Sequence, residues 1–474
     1  MTLHRGARYL VVALAALAAP AAAHAQGYGL NEIGSCAIGR GFANTSAPCQ
    51  DASSVYWNPA ASAMTTGNMG LVGVASIKVN GDFTQDTTRR VYKGQIPTEY
   101  PPHLFWTHRA PTSRVAYGIG VYVPYGLTSQ WGDDFPGRFS ALKASIATIY
   151  AQPNLAFRIN DKWAIGGGPI IAHSSLELKQ ALDLSTVATS SAQGAPTFAQ
   201  LGIARGTEFA RVAATADAWS WGYNLGVQGR LSDRWQFGAR YLSKVTFNYA
   251  GDAEFTQTPT GLTIAADVPN PANPSGPPAI PKGTPVDALV AGQFTGSGAL
   301  TAQGINTQLT HPQQAQVGFT YTTPMGADLS VEYAWLGWKS FKNLPVNFEG
   351  GAKGNSRALI EDYNNSSTLR VGVNRQWSNG WGARLGGTVA SSAAPPETVT
   401  PLLPEQDRWT FNMGAGVPLT TRWTMDAAFA HVGVWGSRGR IGERADRTST
   451  AAQLNTGWYT LNANILSLSI KATY

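Results

Sequence analysis

Apolar and polar side chains alternate one for one over unusually long stretches of this chain. Trp219, Trp221, Tyr223, Leu225 and Val227 are interleaved with Ser220, Gly222, Asn224, Gly226 and Gln228. The next segment sets Trp235, Phe237, Ala239, Tyr241, Ser243, Val245, Phe247 and Tyr249 against Gln236, Gly238, Arg240, Leu242, Lys244, Thr246 and Asn248. Residues 115–123, 315–321, 329–335, 369–373, 381–389 and 409–417 repeat the pattern. A pleated strand sends successive side chains to opposite faces, so each stretch predicts a strand with one oily and one polar or small face. A soluble sandwich gives the same alternation. Three features favour a membrane barrel instead. The strands run to roughly 10–14 residues where globular strands average about 5 or 6. Their polar faces are rich in glycine and unsuited to a packed core. Aromatics stand at the ends of the oily faces, where a bilayer interface would place them.

Composition agrees. Charged residues are 13% of 474, about half of the ~25% usual in soluble domains, and there are 52 glycines. So little charge excludes an ordinary soluble enzyme, and 10% aromatic residues argue against disorder. A helical membrane protein needs repeated apolar runs of roughly 20 residues, and only one apolar run, at the amino terminus, invites that reading. Six short turns, at 111–113, 160–162, 232–234, 324–326, 378–380 and 419–421, alternate with seven long connections near 81–100, 127–144, 180–215, 251–308, 342–363, 391–406 and 436–455. That arithmetic predicts a 14-stranded antiparallel transmembrane β-barrel over residues 67–474, with short turns on one side and long loops on the other. The last strand, with Leu466, Leu468, Ile470, Ala472 and Tyr474 on one face, ends on an aromatic. The longest loop holds seven prolines between Pro269 and Pro285 and is expected to be extended. The 180–215 loop reads either as a surface binding element or as a cap over the barrel mouth.

Residues 1–25 read as a secretory signal peptide: Arg5 and Arg8, an apolar run from Tyr9 to Ala19, Pro20, then Ala23-His24-Ala25 at the cleavage site. The run is too short and alanine-rich for a membrane anchor. Its removal takes two arginines and no acid, lowering the net charge from +7 to +5, too diffuse for a nucleic-acid binder. Cys36 and Cys49, thirteen residues apart in an exported chain, are expected to form a disulfide rather than a redox or metal pair. The histidines show no metal-ligand spacing, and neither a nucleophile elbow nor a phosphate-binding loop occurs. No cofactor and no metal are therefore expected.

Residues 26–66 lack strand alternation and precede the first clear strand, a fit for a hatch inside the barrel. Here Gly27, Leu30-Asn31-Glu32, Gly39-Arg40, Asp51-Ala52 and Asn58-Pro59-Ala60 resemble the outer-membrane long-chain fatty-acid transporter family, which includes toluene transporters. The resemblance recurs in Tyr125-Gly126-Leu127, in Trp335 and Trp338 with Ser340-Phe341, and in Pro404-Glu405-Gln406-Asp407-Arg408. It implies a monomeric barrel in the Gram-negative outer membrane, amid outer-membrane lipid and lipopolysaccharide. Its lumen would be plugged by the hatch and would carry hydrophobic small molecules, fatty acids or aromatic hydrocarbons. Hatch movement near Asn58, Pro59 and Ala60 and exit through a gap at a kinked strand are further implications.

The residues support the gap independently. Pro124 lies within a predicted strand at 115–125, Pro153 and Pro169 on the next two, and a barrel wall has no edge to accommodate proline. Either the wall opens near Pro124 and Gly126, or the prolines mark strand ends at the interface. By the alternation Arg230, Arg240, Lys244, Arg370 and Arg384 face inward as candidates for a carboxylate head group. Where the family places basic groups near its pocket, this chain aligns Ser175 and Glu361, which leaves neutral aromatics or alkanes open. Transport needs no catalysis, so the chain reads as no enzyme. The alternatives are an outer-membrane lipid-acting enzyme and a general aqueous porin.

Overall fold

The computed structural model describes residues 27–189, 194–270, 273, 275–351, 357–435, 437–439 and 456–474. Residues 1–25, read above as a signal peptide, and most of the 436–455 connection lie outside them. Fourteen staves form the wall. They are β1 (Gly67–Gln85), β2 (Pro102–Arg109), β3 (Val115–Gln130), β4 (Lys143–Arg158), β5 (Trp163–Leu182), β6 (Ala210–Arg230) and β7 (Trp235–Leu242 continued by Val245–Gln257). The circuit goes on with β8 (Gln303–His311 continued by Gln314–Thr322), β9 (Ala327–Leu336), β10 (Ser366–Gln376), β11 (Gly382–Ala390), β12 (Arg408–Pro418), β13 (Trp423–Val434) and β14 (Gly457–Thr473). Each pairs antiparallel with its sequence neighbours, and β1 closes on β14 from Met69↔Thr473 to Gln85↔Gly457. Closure leaves no free end strand, so every stave has a partner on both sides along at least part of its length.

Around the outside runs a belt of exposed apolar side chains, with Trp219 70% and Trp221 75% exposed on β6. In water such a belt would drive aggregation; lipid covers it. Above the belt the polarity inverts. On β6 Arg211, Thr215 and Asp217 point out while Val212, Ala214 and Ala216 are buried inside. The staves thus continue beyond the bilayer, which is why β1 reaches Gln85 and β3 reaches Gln130, well into segments expected to be loops.

Lys244 is corrected by the same feature. Between the pairs Asn224↔Leu242 and Asp217↔Ala250, β7 advances eight residues while β6 recedes seven. The extra residue is a bulge, and one residue exchanges the faces of everything beyond it. Val245, Phe247 and Tyr249 turn in, whereas Lys244 and Asn248 are exposed outside. The unbroken alternation in the sequence concealed the exchange.

The loops at 183–209 and 258–300 share a small core of Phe198, Ile203, Phe209, Ile264, Val286 and Val290. A short helix, Val286–Val290, lies within the second of them.

Candidate functional site: a hatch and a split wall

Residues 27–66 fill the lumen. Helix α1 (Ser35–Gly39), helix α2 (Ser54–Trp57) and a 3₁₀ turn (Pro59–Met64) supply little regular structure, yet Ile38, Val55, Tyr56 and Trp57 are fully buried. Asn58 caps the 3₁₀ turn, accepting from Ala60 N at 3.2 Å, and Pro59 follows at the first helical position. The Asn58 amide nitrogen reaches Thr45 O at 2.9 Å, Val227 O at 3.0 Å and Gln228 Oε1 at 2.9 Å. Backbone can approach this closely because Gly226 on β6 lacks a Cβ, which would lie 2.9 Å from Pro59 Cδ. Asn58, Pro59 and Ala60 therefore sit against the wall in the periplasmic half of the barrel.

Cys36 and Cys49 are joined, with Cα atoms 6.2 Å apart, and lie beside a polar vestibule of about 280 Å³ that also includes Arg230 and Arg384. In the chain-entropy account the bridge over so short a loop contributes about 3 kcal/mol. Replacing both cysteines with serine is expected to speed amide hydrogen exchange over residues 40–48 by about a hundredfold if that segment opens locally. Exchange–mass spectrometry on the purified protein measures this, and an unchanged rate would mean that packing alone holds the segment.

The other predicted basic groups separate by environment. Arg384 is paired with Asp426 at 2.5 Å, and Arg230 is exposed at the rim. Arg370 is buried, with Nη1 3.9 Å from Glu332 Oε2 and Nη2 donating to Asn31 Oδ1 at 3.2 Å. Arg240 lies 4.0 Å over the Tyr56 ring and donates from Nε to Asn224 Oδ1 at 3.1 Å. Ser175 is exposed on the outer face, whereas Glu361 is buried. His173 and Ser174 point opposite ways: His173 lies tilted against Trp219 outside, with ring centroids 4.7 Å apart, and Ser174 bonds Thr148 and Tyr249 inside.

The wall comes apart between β2 and β3. Their pairing runs only from His108↔Tyr117 to Leu104↔Val121. Beyond it the chain at 99–101 stays with β1, through Ile77↔Glu99 and Ala75 N to Pro101 O at 3.2 Å. Pro101 and Pro102 on one side and Pro124 on the other have no N–H to donate across the division. On its far side β3 bulges against β4, where Tyr122↔Tyr150 is followed by Tyr125↔Thr148. The amino-terminal end of the hatch occupies the freed edge: Leu30 N donates to Pro124 O at 2.9 Å, and Gly126 N to Tyr28 O at 3.0 Å. The sequence pointed to Pro124 and Gly126 but not to the Pro101-Pro102 pair, whose adjacency was the available signal.

At this division lies a cavity of about 430 Å³. Its lining passes from lumen-facing Leu127, Ile146 and Thr148 to the lipid-facing side, where Ile149 is 48% exposed. Tyr28 forms part of its floor and is seated edge-on against Trp338 at 4.7 Å and His311 at 5.4 Å. Glu32, Glu405 and Arg408 bring charge to the lining. Burial pushes the Glu32 and Glu405 carboxyls up, while backbone N–H donors and Arg408 oppose it. Glu405 also fastens the hatch, accepting from Gly27 N at 2.6 Å and from Ala393 and Ala394 N at 2.8 Å each.

A closed barrel stoppered by its own amino-terminal segment, with an apolar cavity reaching through the wall, defines a plugged outer-membrane transport protein. Residues 14–474 match the profile of the outer membrane protein transport protein family (OMPP1/FadL/TodX), and the chain belongs to it. A long-chain fatty acid transport protein of Escherichia coli O6:H1 is 26% identical over 417 residues, 85% of this chain and 84% of that protein. Outer membrane protein P1 of Haemophilus influenzae is 24% identical over 452 residues, 89% of each. Among solved structures, a Pseudomonas aeruginosa FadL homologue superposes with a TM-score of 0.76 at 20% identity, covering 94% of this chain and all of that one. The P. putida toluene transporter TodX gives 0.68 at 15%, covering 95% and 99%. Family members are outer-membrane transport proteins and not enzymes.

Proposed function

We propose that this protein admits hydrophobic compounds, long-chain fatty acids or aromatic hydrocarbons, by passive diffusion, with the hatch as gate and the β2–β3 division as a lateral exit. The cavity lining that runs from Leu127 to Ile149 carries this reading. A fatty acid or hydrocarbon is held back by the hydrated lipopolysaccharide surface, and a water-filled pore gives it no advantage over water. An apolar cavity offers about 0.8 kcal/mol for each methylene buried. Release into the membrane then needs neither an energy source nor passage through the periplasmic vestibule. The names of the relatives, for fatty acids and for toluene, support the two cargo classes. Hatch movement about Asn58, Pro59 and Ala60 would open the route, and Tyr28, Leu30 and Glu32, which line the cavity, are the hatch residues that would have to shift at the exit. A barrel closed by its own staves needs no second copy to complete its wall, which fits a monomer.

Uptake of labelled oleate and of toluene by a deletion strain carrying the gene tests the proposal. Restoration of either is the expected result. Failure to restore both, with the protein inserted, would sink it.

A further inference from the structure

A second apolar chamber, of about 60 Å³, lies toward the loop end of the lumen, bordered by Leu176, Leu178, Ala214, Ala216, Ile305 and Leu344. It shares Leu127, Ser145 and Ile146 with the larger cavity. Leu127 and Ile146 are direct cross-strand partners, both half-buried against the lumen core. We infer that the Leu127–Ile146 pair is the partition between the two chambers and sets the cross-section of the cargo that passes from under the loops to the division in the wall.

Three observations lead there. An apolar cavity of about 150 Å³ is what benzene fills in a protein core, so the smaller chamber is too small for an aromatic cargo unless the partition yields. Across the chamber Ala214 and Ala216 have no rotamers with which to widen it, whereas Leu and Ile swing between staggered wells. Leu127 also follows Gly126 just beyond the β3 bulge, where β2 no longer pairs with β3 and the edge is held instead by the hatch, through Gly126 N to Tyr28 O at 3.0 Å, and farther along by Gln95 N to Gln130 O at 2.8 Å. In the lining that the two chambers share, the bulky side chains that can change rotamer are these two.

The inference rests on the transport reading, and one experiment separates them. Uptake of toluene and of naphthalene is compared in cells carrying the unaltered protein, Leu127→Ala with Ile146→Ala, or Leu127→Trp. Trimming the pair is expected to raise the naphthalene-to-toluene ratio about tenfold, the order of effect of small volume changes in an apolar selectivity pocket. Leu127→Trp is expected to lower uptake of both by about tenfold with the heat-modifiable migration of a folded barrel retained. Should the tryptophan variant not fold, the alanine pair decides alone. An unchanged ratio in the alanine pair overturns the inference; absence of uptake by the unaltered protein overturns the transport reading and this inference with it.

Discussion

Glu332→Ala is expected to unseat the hatch and turn a closed barrel into a conducting one. Glu332 projects inward from β9 and is 1% exposed. One of its oxygens accepts the N–H groups of Thr45 and Ser46, and the other faces Arg370 Nη1 at 3.9 Å. Beside it Arg40 of the hatch donates to Ala47 O at 2.7 Å and Ser330 Oγ at 2.6 Å. Removing the carboxylate leaves a buried guanidinium and two hatch N–H groups short of a partner, a loss of about 3–5 kcal/mol when one member of a buried pair is deleted. The wall loses no ladder hydrogen bond, so the damage falls on the hatch. Planar-bilayer recording should show large steady conductance for the variant and little for the parent. Glu332→Gln keeps an acceptor for Thr45 and should lie between them. Equal conductance in all three would mean that the hatch is held by packing and not by this carboxylate.

The fold was legible because its signal is local. Period two along Trp219–Val227 survives whatever surrounds the strand, and turn residues such as Asn160-Asp161-Lys162 mark the hairpins without long-range knowledge. Facing was harder to read, because it depends on what lies outside the wall. Within the bilayer the oily face points out; above it the oily face points in, and a bulge changes from one to the other with no interruption in the sequence. Lys244 was misplaced for that reason. Phe247 and Tyr249 look like lipid-facing residues in sequence, yet both are buried in the lumen. Of the candidate site, the hatch residues and Pro124 stood out by type and resemblance. Their partners did not: Thr45 and Glu332 are 287 positions apart, and nothing local ties Gly27 to Glu405. Leu127 and Ile146 carry no chemical signature at all. They are ordinary aliphatic residues whose importance comes from lying between two spaces.

Gly126→Arg is expected to cut uptake at least about tenfold while leaving assembly and closure intact. A Cβ at Gly126 would lie 2.9 Å from Leu30 Cδ1, the far end of a flexible side chain that can give way. Gly126→Ala should therefore be tolerated with a modest loss. Arginine adds a long cationic side chain at the place where the cavity reaches the membrane. A guanidinium facing hydrocarbon costs roughly 2.5–3.5 kcal/mol on insertion scales, so it will turn along the division toward polar groups such as Thr128 and Glu99, which line the same cavity. That path lies across the exit proposed for the cargo. Cargo uptake should fall at least about tenfold, because the added volume and charge replace apolar space. Conductance distinguishes obstruction from damage: if arginine instead expelled residues 28–30 and loosened the hatch, ion flow would rise as in Glu332→Ala. Lost uptake with low conductance and a folded barrel therefore indicates a blocked lateral exit. Normal uptake under the same conditions would place the exit elsewhere, since no hydrophobic solute could pass this division beside an ordered arginine.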